Sequence, residues 1–288
     1  MRHKKSQLFN LSLIIVTIVV FITAMFFIGD NTEAFRQQVG VRAFNILDTY
    51  QWGEKFLIYV DQAAKYSAFN AVYGIADNGG FIGDSECGRY IEYNLLSNAD
   101  GRECVPDYEA NLEKQVLENL NKYLDIYPVS EEGQYSFKIK IKKEKIEYDL
   151  LFNGENLIGT TMDEVTIEIY GKPKEGVMNI IGTYDVNPSF NVDVGYDIRD
   201  YDLLISQAST IYGCRTEKEM AGLIECVKKN KPDNWQLRED LIKDERVFAF
   251  DVNSSYKLIK YDETDRLAYL RPVVYKFAIY FPTQTIVT

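Results

Sequence analysis

Leu8–Ile28, LFNLSLIIVTIVVFITAMFFI, is a run of 21 residues without a charge. A helix of that length, rising about 1.5 Å per residue, reaches about 31 Å, close to the hydrocarbon thickness of a bilayer. The sequence therefore predicts an N-terminal transmembrane helix over 8–28, preceded by a cytoplasmic tail at 1–7. Arg2, Lys4 and Lys5 stand before the run, and Asp30 and Glu33 follow it. Loops rich in Lys and Arg stay in the cytoplasm, so the expected protein crosses the cell membrane once, with its N-terminus inside and residues 30–288 outside. A cleaved signal peptide has a shorter apolar region, about 7–15 residues, and a small-residue cleavage site. Thr23-Ala24-Met25-Phe26 makes a poor site, and an uncleaved signal-anchor is the reading adopted.

Charge narrows the partners. Taking the three basic residues of the tip from 32 Lys and Arg leaves 29 against 43 acids, a net of −14 for the exterior part. Such a surface repels phosphate backbones, so no nucleic-acid partner is expected. The membrane itself, other envelope proteins and self-assembly are the partners that remain.

Cys87, Cys104, Cys214 and Cys226 all follow the apolar run. An even count in an oxidising compartment predicts two disulfides, with three connectivities possible. The local pairing, Cys87 with Cys104 and Cys214 with Cys226, is the expected one. Each closed loop contributes roughly 3 kcal/mol in the chain-entropy picture. One conflict stands against the second pair. Thr216 and Glu219 form a T-x-x-E capping box, which starts a helix at 216. Ten helical residues then separate Thr216 from Cys226 by about 15 Å, whereas bridged Cα atoms lie within about 7 Å. Either the helix starts later and Cys214 folds back beside it, or the pairing is different. Zinc is disfavoured, because there is no C-x-x-C spacing and the one histidine is His3 in the tail.

Along the chain, residues 30–77 read as a membrane-proximal helical segment. Leu57, Val60, Ala64, Ala68, Ala71 and Ile75 fall at spacings of three and four, and Asn78-Gly79-Gly80 stops the helix. Asp107 caps a second helix over 108–127, with Leu112, Val116, Leu120 and Leu124 every four residues. Strands follow at 135–142, whose alternation sets Lys138, Lys140 and Lys142 on a wet face, at 147–152, which can pair back with it, and at 164–170, 177–185 and 190–194. Asn153-Gly154 is a hairpin turn. Helices return near 198–212 and 217–229, with a short one from Asp233 to Leu241, and strands at 246–253, 267–270 and 273–281 close the chain. The fold class is α+β: an N-terminal transmembrane helix, then a long helical stretch packed on an antiparallel β-rich extracytoplasmic domain over 78–288.

Chemistry is sparse. Without an exterior histidine there is no Ser-His-Asp or H-E-x-x-H arrangement, and no catalytic, cofactor-binding or metal residue is assigned. Asp185, Asp193, Asp197, Asp200 and Asp202 form the densest acidic run, but their spacing does not match a calcium loop, and a solvated loop is expected. Asn253-Ser254-Ser255 is a sequon on the exterior side, so Asn253 is a candidate for glycosylation.

The basic tip, the 21-residue run, the long helical stretch and the β-rich head with cysteine pairs together resemble type IV pilin-like proteins in outline. Lys4-Lys5-Ser6-Gln7 resembles the processing site of archaeal pilins, with Ser6 where the family has Gly or Ala and Leu11 where many pilins carry Glu. In overall style the chain also resembles uncharacterised archaeal single-span membrane-anchored proteins. The leading expectation is a membrane-anchored extracytoplasmic protein of structural or protein-interaction role. Behind it stand a pilin-like filament subunit, a ligand-binding or sensory ectodomain, and a carboxylate-dependent hydrolase of envelope glycans.

Overall fold

The computed structural model describes residues 3–127, 130–132, 138–142, 145–171, 179–242, 246–262 and 267–282; within the first helix, side chains are described at 16–23, 40 and from 42 onward. The chain is α+β and forms two compact units. One comprises 1–54, 129–142 and 166–185. The other comprises 55–128, 143–165 and 186–288. Both are discontinuous in sequence, whereas the sequence reading placed one domain after 78.

The expected transmembrane helix is corrected. Helix α1 runs without a break over His3–Asp77, 75 residues in all. Among the described residues no helix is long and apolar enough to cross a membrane. The helix over Leu8–Ile28 has no ends of its own and continues through Asp77. The membrane-proximal helical segment expected at 30–77 belongs to this same element.

In the first unit, α1 up to Glu54 accompanies a four-stranded antiparallel sheet ordered β3 (Ser130–Glu132), β4 (Lys138–Lys142), β7 (Val165–Tyr170) and β8 (Ile180–Val186). The part of the expected strand at 135–137 and the start of that at 177–185 lie outside the described residues. Alternation sorts the sheet: Ile141, Ile167 and Ile169 are buried, while Lys138, Lys140 and Lys142 are exposed. Glu168 sits on the lysine side yet is buried. Lys142 Nζ lies 2.5 Å from its carboxylate and the Tyr170 hydroxyl donates to it. The Lys142 ammonium, and then the Tyr170 hydroxyl, hold the Glu168 carboxyl below the usual glutamate range. Helix α1 approaches β8 at Gly182, where an added Cβ would come within 3.0 Å of Thr49 Oγ1. Beside that contact Tyr50 meets Tyr184 edge-on at 5.7 Å.

In the second unit, α1 from Lys55 onward is the central rod. Phe56, Val60, Ala64, Ala68, Ala71, Val72 and Ile75 are buried, and their small members let neighbours come close. Helix α2 (Tyr108–Ile126) lies along it, with Asp107 Oδ1 accepting from Ala110 N as its cap. Tyr59 donates to the Tyr123 carbonyl at 2.5 Å, and Asn70 Nδ2 donates to the Tyr123 hydroxyl at 2.9 Å. A five-stranded sheet covers the rod's C-terminal part. Its order is β1 (Arg89–Tyr90), β2 (Tyr93–Leu95), β12 (Leu267–Tyr280), β11 (Val247–Asp262) and β10 (Trp235–Leu237), with β2 and β12 parallel and the other pairs antiparallel. The rings of Trp235, Phe250 and Phe277 pack within 5.8 Å of one another in its core. Burying each such side chain contributes about 1.5–3 kcal/mol. A three-stranded sheet of β5 (Asp149–Asn153), β6 (Asn156–Thr160) and β9 (Phe190–Asp193) completes the unit, with Asn153-Gly154 as its hairpin turn. Helices α3 (Arg199–Tyr212) and α4 (Met220–Asn230) follow.

Partners and boundaries depart from the sequence reading in three places. The strand at 149–153 pairs with β6, not with β4, which pairs with β7. The short helix expected from Asp233 to Leu241 is instead strand β10 followed by a single 3-10 turn at Glu239–Leu241, because Trp235 and Leu237 pair with Val252 and Phe250. The two strands expected at 267–270 and 273–281 are one, β12.

Helix α1 ends in a Schellman motif: Gly80 N bonds to Ile75 O at 2.8 Å and Gly79 N to Ala76 O at 3.0 Å. Both glycines have positive φ, and a Cβ on Gly80 would lie 2.2 Å from the Tyr201 hydroxyl. Gly80→Ala is therefore expected to destabilise the protein by more than about 1 kcal/mol, read as a lowered urea midpoint with an unchanged slope.

Candidate functional site

The densest buried polar arrangement in the second unit is a chain of tyrosines. Tyr108 is the first residue of α2, Tyr196 lies in the turn before α3, Tyr275 is on β12 and Tyr201 is in the first turn of α3. The Tyr108 and Tyr196 hydroxyls are 2.6 Å apart, as are those of Tyr196 and Tyr275. Tyr275 donates to Asp200 Oδ2 at 3.2 Å, and Ser254 Oγ donates to the same oxygen at 2.6 Å. A phenol has a single proton. Tyr275 spends its own on Asp200, so it accepts from Tyr196, which in turn accepts from Tyr108; the whole chain donates toward one carboxylate. Tyr201 stacks on Tyr108 at 4.1 Å and donates to the Gly79 carbonyl at 2.9 Å. One network thus joins the end of α1 to α2, α3, β11 and β12. Burial raises the pKa of all four phenols above the ordinary 10.0. They stay neutral at physiological pH and act as fixed hydrogen-bond donors.

A second network supports the sheet. Tyr93 donates to Asp251 Oδ1 at 3.0 Å, and Arg238 donates to the Tyr93 hydroxyl at 2.9 Å while pairing with Asp240 and Asp251. Burial and the Asp251 carboxylate push the Tyr93 phenol up to about 12.

Beside the tyrosine chain the surface is concave. Two open hollows of about 330 and 300 Å³ share Val105, Pro106 and Asp107. Phe81, Ile82, Ile198 and Ile205 give the trough an apolar floor, with Tyr108 and Tyr201 in its wall. Asp84, Glu86, Glu103, Asp107, Glu109 and Asp202 line it with carboxylates, opposed by Arg102, which pairs with Glu86 at 2.7 Å. Its chemistry suits apolar groups carrying positive charge.

The Cys87–Cys104 disulfide lies in the loop that forms the trough, with Cα atoms 5.9 Å apart. Cys214–Cys226 is the other bridge, at 5.8 Å. The conflict over the second pair resolves as a late helix start. Residues Gly213–Thr216 form a 3-10 turn continuing α3, and α4 begins only at Met220, so Cys214 folds back beside it. Both bridges suggest an extracellular or secreted location. The acidic run disperses. Asp185 accepts from Thr166, Asp193 from Gly195 N, Asp197 pairs with Arg199, Asp200 ends the tyrosine chain, and Asp202 lines the trough. Among the described residues no group of His, Cys, Asp and Glu could hold a metal ion. Asn253 is exposed on β11. The tyrosine chain was not legible in the sequence: its members come from three separated stretches of a chain holding 21 tyrosines. No known family model, curated protein or solved structure matches this chain.

Tyr196→Phe removes the acceptor of Tyr108 and the donor to Tyr275, and is expected to cost about 1–3 kcal/mol by urea denaturation, against no measurable change for the exposed Tyr66→Phe. The raised phenol pKa values also set an alkaline limit. Their stabilising effect is complete below pH 10.0, the unfolded value, and is lost as pH rises past it toward the folded values. Circular dichroism should show unfolding above pH 10, with the last tyrosinate absorbance appearing together with loss of structure.

Proposed function

We propose that this chain is an extracytoplasmic structural protein that works by protein contact, with α1 as its assembly element. The observation that carries the reading is the surface of α1 in the first unit. Val16, Ile18, Val19, Val20, Phe21 and Ile22 are all exposed, and Phe44, Ile46, Leu47 and Tyr50 are exposed further along. Six neighbouring large apolar residues point to every side of a helix, and a helix apolar all round is normally buried. Covering them is worth on the order of 10 kcal/mol at about 1.5–3 kcal/mol per side chain. Contact on all sides needs several neighbours, and further copies of the same helix supply them. Two disulfides support work outside the cytoplasm, and the fully bonded tyrosine chain supports a rigid head.

A pilin-like filament subunit is the sharper form of this reading. It is favoured by the exposed apolar side chains of Val16, Ile18, Val19, Val20, Phe21 and Ile22 on α1, the all-round surface that helix packing in a filament requires. Native mass spectrometry of the full chain from its own cells tests both forms. Multimers that dissociate to monomers in Val20→Asp and Leu47→Asp, with the thermal midpoint of the head unchanged, are the expected result; a monomeric wild type overturns the proposal. A subunit mass lacking residues 1–6 supports the filament form, and a full-length mass overturns that form alone.

A further inference from the structure

We infer that Asn253 is an acceptor for N-linked glycan and that the geometry of β11 presents it for that modification. The triplet Asn253-Ser254-Ser255 is only a motif in the sequence, and such triplets arise by chance. The structure adds three observations. First, in a strand the residues i and i+2 share a face. Asn253 and Ser255 are both exposed, so the carboxamide to be modified and the hydroxyl that a transferase must read lie on the same open side. Ser254, between them, faces the other way and is fastened to Asp200 at 2.6 Å. The anchor holds the triplet in register without using either recognised group.

Second, the ladder between β11 and β12 breaks here. Paired residues are continuous up to Asn253↔Val274 and resume at Lys257↔Pro272, a bulge that takes Ser254, Ser255 and Tyr256 out of the ladder, with Tyr256 N bonded instead to Ser254 Oγ at 3.1 Å. The two residues after Asn253 thus stand outside the ladder, where a transferase reads the triplet without displacing a paired strand. Third, β10 pairs with β11 only as far as Trp235↔Val252, and Asn253 N closes the strip by donating to Asn234 O at 3.1 Å. Asn253 O likewise accepts from Asn234 Nδ2 at 2.9 Å, and beyond Asn253 this side of β11 has no strand partner among the described residues. A glycan at that point covers an open sheet edge, the feature by which β proteins otherwise aggregate.

The reaction is a group transfer. The Asn253 Nδ2 attacks the anomeric carbon of a sugar carried on a lipid phosphate or pyrophosphate. The new N–C bond forms as the anomeric C–O bond breaks, the lipid phosphate leaves with the electron pair, and the displaced amide proton passes to a base of the transferase. The inference rests on the extracytoplasmic location within the proposed function, and not on assembly through α1.

The test is peptide mass spectrometry of the full chain purified from its own cells without reduction. Trypsin releases Val247–Lys257, which contains the triplet. The expected result is this peptide carrying a saccharide mass that is lost both in Asn253→Gln and in Ser255→Ala. Ser255→Ala leaves Asn253 and the Asp200 anchor in place, so a folded protein without the saccharide isolates the recognition of the triplet. An unmodified wild-type peptide in a protein with both disulfides formed overturns the inference while leaving the location intact. Saccharide retained in Ser255→Ala also overturns it. Free thiols at all four cysteines, with no saccharide, overturn the location and the inference together.

Discussion

The hydroxyl chain that ends on Asp200 is the interaction on which the head depends. Three neutral phenols reach one carboxylate from α2, the turn before α3 and β12, Tyr201 of α3 stacks on the first of them, and Ser254 adds β11. Each bond alone contributes modestly, because folding exchanges protein–water bonds for protein–protein ones. The chain matters because of what breaking it leaves behind: a buried donor or acceptor with no partner, in surroundings where water cannot replace the lost bond. Directionality follows from the same chemistry. With one proton per phenol and a carboxylate at the end, only one donor order satisfies every member, so the elements that carry the tyrosines have little freedom to shift.

The end of α1 is joined to this network at a point with no spare room. The Tyr201 hydroxyl bonds to the Gly79 carbonyl and occupies the space where a Cβ of Gly80 would stand. The glycine pair thus serves two purposes, ending the helix and admitting a phenol against its terminus. The disulfides act on a different scale. Cys87–Cys104 restrains the irregular segment that walls the acidic trough, and Cys214–Cys226 ties the 3-10 extension of α3 to α4. The first lies in a segment with few strands or helices of its own, and the second joins two helices; each removes entropy from the unfolded chain by closing a loop.

Legibility from sequence followed the range of the interaction. The stripe Leu57–Ile75, the Asp107 cap, the stop at Asn78-Gly79-Gly80 and the alternation of Lys138, Lys140 and Lys142 are all governed by neighbours within a few residues, and each is found where the spacing predicted it. Strand partners were misjudged at 149–153, because a strand's alternation says which face is wet and nothing about which strand lies beside it. Residues 233–241 read as a helix since a capping aspartate and mixed polarity fit one; the pairing of Trp235 and Leu237 with β11 prevailed over that local signal. The apolar run at 8–28 reads as a bilayer span from its length, its lack of charge and its basic flank, yet among the described residues no helix is long and apolar enough to cross a membrane.

By itself the sequence determined the helix faces, the caps and stops, the wet side of the lysine strand and the even set of cysteines, all of which depend on periodicity and local backbone chemistry. Only the tertiary structure decided that Tyr108, Tyr196, Tyr201 and Tyr275 meet, that Asp200 alone of the acidic run ends their hydroxyl chain through Tyr275, and that Asn253 stands exposed at a break in the ladder. The physical reason is the same in each case. A hydroxyl has no period and no directional preference until another chain segment supplies its partner, and that partner comes from a distant part of the sequence.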